Sequence, residues 1–245
     1  MPRIESYSLK NDLLKAVKDN ISVDEDRNVC IPILTLKKAG HILGGGGQHL
    51  VMSNPDNPDK EVLAFVYNES LTEEHAKQIY YSQKIMNTLF PHNFPKIYAV
   101  TAGSILDESG EKIPVEIRQK VVGKEPKDIT ELYQTNINKT LKNQIPIKYP
   151  FSKVFDFYEE MGLENYNGDH RGNYINADDG GQYFVDILFE DNKDLLSLLN
   201  LDPNKLQIYL LKNNYSQLDQ KRILSALKRL KEISIADDIK NNSKI

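Results

Sequence analysis

Asn167-Gly-Asp-His-Arg-Gly-Asn173, followed nine residues later by Gln182-Tyr-Phe-Val-Asp186, is the stretch from which the fold is read. Tyr174-Ile-Asn176 and Tyr183-Phe-Val185 read as two short strands, and Ala177-Asp-Asp-Gly-Gly181 between them is a strong reversal signal. Such a hairpin would set Asn173 and Asp186 side by side at its open end, with Asp169 on the loop just before it. Two carboxylates and a carboxamide oxygen form a set of hard ligands. Mg²⁺ takes a few such oxygens from protein and the rest from water and phosphate. The set therefore reads as a nucleotide–metal site. The plainer alternative is an Asp-Gly-rich hairpin whose carboxylates are only solvated.

The order Gly-Asp-x-x-Gly-Asn, strand, Asp-Asp-Gly-Gly, strand, Asp resembles the catalytic and metal-binding hairpin of the protein-kinase-like superfamily. That superfamily includes protein kinases and the aminoglycoside and other small-molecule phosphotransferases. The resemblance implies an α+β, bilobal kinase-like fold, with a small antiparallel β N-lobe carrying one main helix and a reduced, mostly helical C-lobe. It also implies that Asp169 orients or deprotonates an acceptor hydroxyl while Asn173 and Asp186 hold metal. The family spaces its Asp and Asn five apart; here they are four apart.

Upstream, Val29–Leu36 is apolar and β-branched, as a strand should be. Lys37-Lys-Ala-Gly-His-Ile-Leu43 leads into Gly44-Gly-Gly-Gly47, and Gln48–Met52 reads as the next strand. Glycines let a backbone approach oxygens closely and let successive N–H groups converge on them. The run resembles the family's phosphate-covering loop in place and flanks, without its strict G-x-G-x-x-G spacing; four glycines also suit a plain flexible turn. Glu61–Tyr67 is a continuous apolar strand where the family's third strand belongs, with Phe65 at the place of the phosphate-contacting Lys. Helical spacing of Ala76, Ile79, Tyr80, Gln83, Met86 and Phe90 predicts a helix begun by Thr72. Gln83 stands where the family's pairing Glu would be. With that Lys–Glu pair gone, Lys37 or Lys38 is the candidate phosphate contact, or else a mere solvated charge. Phe94–Val100 and Val115–Val122 read as further strands, and Val121-Val122-Gly123 resembles the hinge whose backbone would hold adenine.

Downstream, Phe151–Leu163 reads as a helix with Val154, Phe155, Tyr158 and Met161 inward. No Ala-Pro-Glu anchor follows Asp186. Helices are expected near Leu195–Leu201, at Lys205–Lys212 and at Leu218–Ile235, with residues 236–245 frayed. Lys221, Arg222, Lys228, Arg229 and Lys231 give the last helix a basic surface, either simply solvated or fit for an acidic partner. The expected organisation is an N-terminal extension over 1–28, with a short helix at Leu9–Val17, an N-lobe over 29–122 and a C-lobe over 123–245.

Composition limits the alternatives. The chain has 245 residues, 40 % apolar and 27 % charged, which suits one domain of two lobes or two small domains, with an ample core. A net charge of −4 gives no reason to expect nucleic-acid binding. Cys30 is the single cysteine, so no intramolecular disulfide forms, in keeping with a cytoplasmic location or, for a bacterial effector, a host cytosol. No membrane span or leader segment is expected. The histidines lack zinc-helix spacing, and no nucleophile elbow is present. The glycine run enters a strand rather than a long helix, against a dinucleotide fold. The expected function is an ATP-dependent phosphotransferase using Mg²⁺ or Mn²⁺, with a protein or small-molecule hydroxyl as acceptor; nucleotidyl transfer is chemically compatible. The alternative is a pseudokinase, a nucleotide-binding or interaction module without turnover.

Overall fold

A computed structural model describes residues 22–23, 29–32, 42–45, 49–54, 57–66, 73–106, 112–126, 147–163, 174–185 and 197–242. Among these the fold is α+β, with mainly antiparallel sheets and four α-helices. The chain divides into two compact units, Met1–Tyr80 with Ile97–Lys120, and Tyr81–Lys96 with Val121–Ile245. The expected helix at Leu9–Val17 lies outside the described residues.

The first unit is built on a seven-stranded sheet. Its strands are β1 (Ser22–Val23), β2 (Val29–Pro32), β3 (Ile42–Gly45), β4 (His49–Ser53), β5 (Glu61–Val66), β6 (Ile97–Leu106) and β7 (Lys112–Gln119). Their spatial order is β1-β2-β6-β7-β5-β4-β3. Ladders β3–β4, β4–β5, β5–β7 and β6–β7 are antiparallel, while β2 runs parallel to β6. In β5 the successive residues Val62, Leu63 and Ala64 are all buried. Since neighbours on a strand face opposite sides, both faces of the sheet are covered here, which explains why β5 is continuously apolar rather than alternating. The same two-sided burial encloses Glu116 and Arg118 on β7, an ion pair at 3.8 Å.

Helix α1 (Glu73–Leu89) is wider in its buried face than the expected stripe. Gln78, Ile79, Tyr81, Ser82, Gln83, Ile85, Met86 and Leu89 are all buried, so the helix is enclosed around most of its circumference. The strand expected from Phe94 begins at Ile97 instead. Phe94 is 1 % exposed and its N–H bonds the Phe90 carbonyl, so it closes the helix-ending turn. The strand expected to reach Val122 stops at Gln119.

The second unit holds a three-stranded antiparallel sheet of β8 (Gly123–Lys124), β9 (Tyr174–Ala177) and β10 (Gln182–Phe184), in the order β10-β9-β8. Around it lie α2 (Ser152–Met161), a 3₁₀ turn at Ser197–Asn200, α3 (Pro203–Lys212) and α4 (Gln217–Asn242). The inward face of α2 is Val154, Phe157, Tyr158 and Met161; Phe157 takes the place expected of Phe155, which is half-buried. Gly162 ends α2 at φ 70°, where its N–H and that of Leu163 return to Glu159 and Tyr158. Asp202 caps α3 through the Asn204 N–H at 2.8 Å, with Pro203 in the first turn. Helix α4 buries Ile223, Ala226, Leu227 and Leu230 and continues to Asn242, past the expected fray point. Edge-to-face rings tie the unit together: Phe151 to Tyr174 at 5.0 Å, Tyr174 to Phe184 at 5.3 Å, Phe157 to Tyr209 at 5.0 Å and Phe90 to Phe157 at 5.5 Å. No described helix is long and apolar enough to cross a membrane.

Candidate functional site

The hairpin singled out in the sequence forms, with strands Tyr174–Ala177 and Gln182–Phe184 and a register one residue displaced from the expected pairing of 174–176 with 183–185. Tyr174 pairs with Phe184, Ile175 with Tyr183 and Asn176 with Gln182. Tyr174–Phe184 is the last described pair at its open end; Asp169, Asn173 and Asp186 lie outside the described residues, as do Lys37, Lys38, Gly46 and Gly47. Among the described residues no group of three His, Cys, Asp or Glu side chains is placed to hold a metal ion.

Gly44 and Gly45 belong to β3 itself, not to a loop. They face Val51 and Leu50 across the ladder, and the register slips between Ile42 and Gly44 at the exposed Leu43. A slip of this kind is a bulge, which twists and re-aims an edge. Val121 is half-buried and Val122 is 56 % exposed. The Val122 carbonyl accepts the Asp178 N–H at 3.0 Å. Next to it, Gly123 packs so close to β9 that a Cβ would lie 2.2 Å from the Asn176 oxygen.

The turn at residues 177–181 is a docked element rather than a free reversal. Gly180 has φ 88°, and its carbonyl accepts the N–H groups of Lys148 and Tyr149. Gly181 lies under the His92 carbonyl, 2.4 Å from where a Cβ would be. Asp179 accepts from the Gly181 N–H at 2.9 Å and the Tyr183 hydroxyl at 2.8 Å, with His92 Nδ1 at 3.3 Å. Burial pushes the Asp179 carboxyl up, but those three partners outweigh it and hold the group below the usual carboxylate range. The His92 ring stacks flat on Tyr149, 3.8 Å between centroids.

Asn93 closes the outer edge of the hairpin. Its carbonyl accepts the Phe184 N–H at 2.9 Å, and its Nδ2 donates at 3.0 Å to the carbonyls of both Gln182 and Tyr149. Gln182 is fully buried and extends the network: Oε1 accepts the Phe151 N–H, and Nε2 donates to Asn176 Oδ1. Nothing in the sequence singles out Asn93 or Tyr149, and His92 is one of several scattered histidines. Pro91-His-Asn-Phe-Pro95 carries only ordinary turn chemistry, so no local signal marks it.

Behind this clamp lies a cleft of roughly 520 Å³. The turn after α1, helices α2 and α3, and Tyr149 line it, with Phe90 and Phe157 contributing aromatic wall. Tyr215 donates to the Leu89 carbonyl at 2.8 Å, so in its hydrogen bond with Tyr209 it is the acceptor. Burial first, then Tyr215, Glu160 and Asp156, raise the Tyr209 hydroxyl far above an ordinary phenol.

The basic face of α4 is partly engaged along the helix. Arg222 reaches Asp219 at 3.4 Å, Lys228 and Arg229 reach Glu232 at 3.9 and 2.8 Å, and Lys231 Nζ donates to the Leu201 carbonyl at 2.8 Å. Compared with family models, curated proteins and solved structures, the chain matched none of them.

Proposed function

We propose that the chain is a kinase-like phosphotransferase of reduced size that binds ATP with Mg²⁺ or Mn²⁺. The observation that carries this reading is the β9–β10 register. It pairs Tyr174 with Phe184, so the chain enters the hairpin directly after Asn173 and leaves it two residues before Asp186. A second support is the chain order from Ile42 to Gln119: glycine-bearing strand, strand, third strand, helix, two strands, with these five strands in one antiparallel run. On this reading Asn173 and Asp186 hold the cation, a role their hard oxygens suit. Bound there, the cation neutralises phosphate charge. Gly44, Gly45, Gly46 and Gly47 cover the phosphates, Lys37 is the candidate cationic contact, and backbone at Val121 and Val122 meets adenine. Asp169 orients the acceptor hydroxyl, of a protein or small molecule, and takes its proton as oxygen attacks the γ-phosphorus and ADP leaves.

The test is incubation with γ-labelled ATP and Mn²⁺, with and without Asp186→Ala, alongside a thermal-shift titration. Label transfer that Asp186→Ala abolishes supports the phosphotransferase. One feature favours a second reading, a pseudokinase: Glu61–Val66 contains no cation, and Gln83 on α1 is neutral and 1 % exposed. Nucleotide binding with no Asp186-dependent transfer would select that module. An absence of any ATP response at millimolar concentration with either cation would remove both.

A further inference from the structure

The cleft behind the hairpin clamp is made of two kinds of surface. Its inner wall is aromatic: Phe90, Phe157 and Tyr209, with Tyr149 at its side, 39 % exposed and stacked on His92. Helix α2 contributes charge, because Lys153, Asp156 and Glu160 all line the same cavity. Glu160 is bridged to Lys212 at 3.0 Å, whereas Asp156 makes no hydrogen bond or ion pair among the described residues. Asp156 thus leaves a carboxylate beside rings whose faces carry negative potential, within a volume suited to a small molecule.

We propose that this cleft is a binding site for a small organic ammonium, an amine carried on a flat apolar body. The cation would lie against Asp156, and the body would lie against Phe157, Tyr209 and Tyr149. With Glu160 engaged by Lys212, Asp156 is the carboxylate open to the cleft, and the ring faces favour a cation over an anion. Burial leads the rise of the Tyr209 hydroxyl, and Glu160 and Asp156 add to it from the same cleft. Because His92, Asn93 and Tyr149 both line the cleft and clamp the hairpin, an occupant touches the residues that hold β10. The site stands independently of the phosphotransferase reading.

Tyramine, an ammonium on a phenol ring, is the probe, and its acid isostere 4-hydroxyphenylacetate is the control. Chemical shifts of the full chain are followed through the Asn93 carboxamide and the backbone amides of Lys148, Tyr149 and residues 151–160. Tyramine is expected to saturate at about 1–10 mM, as for a small ligand with one charge contact and stacking. Asp156→Asn, at an exposed position that leaves folding intact, is expected to weaken it about five-fold. Lys153→Gln is expected to tighten it modestly by removing the like charge. No saturable change, equal binding of the acid, retained affinity in Asp156→Asn, or loss of binding in Lys153→Gln would each overturn the proposal.

Discussion

Asn93 serves Phe184 as a one-residue neighbouring strand. Its carbonyl accepts the Phe184 N–H at 2.9 Å while its carboxamide donates to the Gln182 carbonyl at 3.0 Å, and the Gln182 N–H goes to the Tyr149 carbonyl, so the outer edge of β10 is paired. An edge strand left bare would present unmet polar groups. Here the edge is closed by a turn 89 residues away in sequence, and the aromatic core of Phe94, Phe151 and Phe184 packs beside it.

Asn93→Ala should therefore cost about 2 kcal/mol, the usual penalty for stranding a buried carbonyl. Urea unfolding checks the loss. Amide exchange adds a local readout, with Phe184 and its neighbours losing protection more than the amides of α4.

Gly123→Ala places a Cβ against the Asn176 carbonyl and the Ala177 Cα, both backbone atoms that cannot step aside. We expect at least about 3 kcal/mol of destabilisation, as for other overpacked sites. Gly181→Ala, 2.4 Å from the His92 carbonyl, should behave alike. Melting curves of the two variants provide the measurement, and near-native stability in either would contradict the close approach.

Asp179 titrates below the usual carboxylate range, so its folded-state value is depressed. Its contribution is present above the unfolded value near about pH 4 and is lost as pH falls through the folded value. Wild type should exceed Asp179→Asn in stability at pH 6 to 7, and the two should converge toward pH 3. The gap stays small because both Asp179 and His92 are more than a third exposed.

Tyr209 and Tyr215 show the opposite sign. Burial leads both shifts, and both hydroxyls are raised, so their support is full below the ordinary phenol value and fades as pH climbs beyond it. Tyrosinate absorbance should show a late-ionising fraction that includes both groups, and Tyr209→Phe should reduce it by one group.

Within α3, two aliphatic residues of similar size make a paired test. Leu210 is fully buried and Ile208 is 66 % exposed. Leu210→Ala should cost roughly 2–5 kcal/mol, whereas Ile208→Ala should stay within about 0.5 kcal/mol.

Local chemistry was enough to read several elements from the chain. Strand period and the Asp-Asp-Gly-Gly turn placed a hairpin over residues 174–185, and helical spacing placed α1. These features depend on neighbours a few residues apart, which is where periodicity and turn preference act. Tertiary structure decided which side of each element is enclosed and what meets its open edges. It turned the stripe of α1 into near-complete burial, exchanged Phe155 for Phe157 on α2, and drew Gly44 and Gly45 into a strand. It also made Asn93, His92 and Tyr149 the clamp of the hairpin. A backbone group takes whichever partner the closed chain brings within 3 Å, and no local pattern encodes a partner so far away.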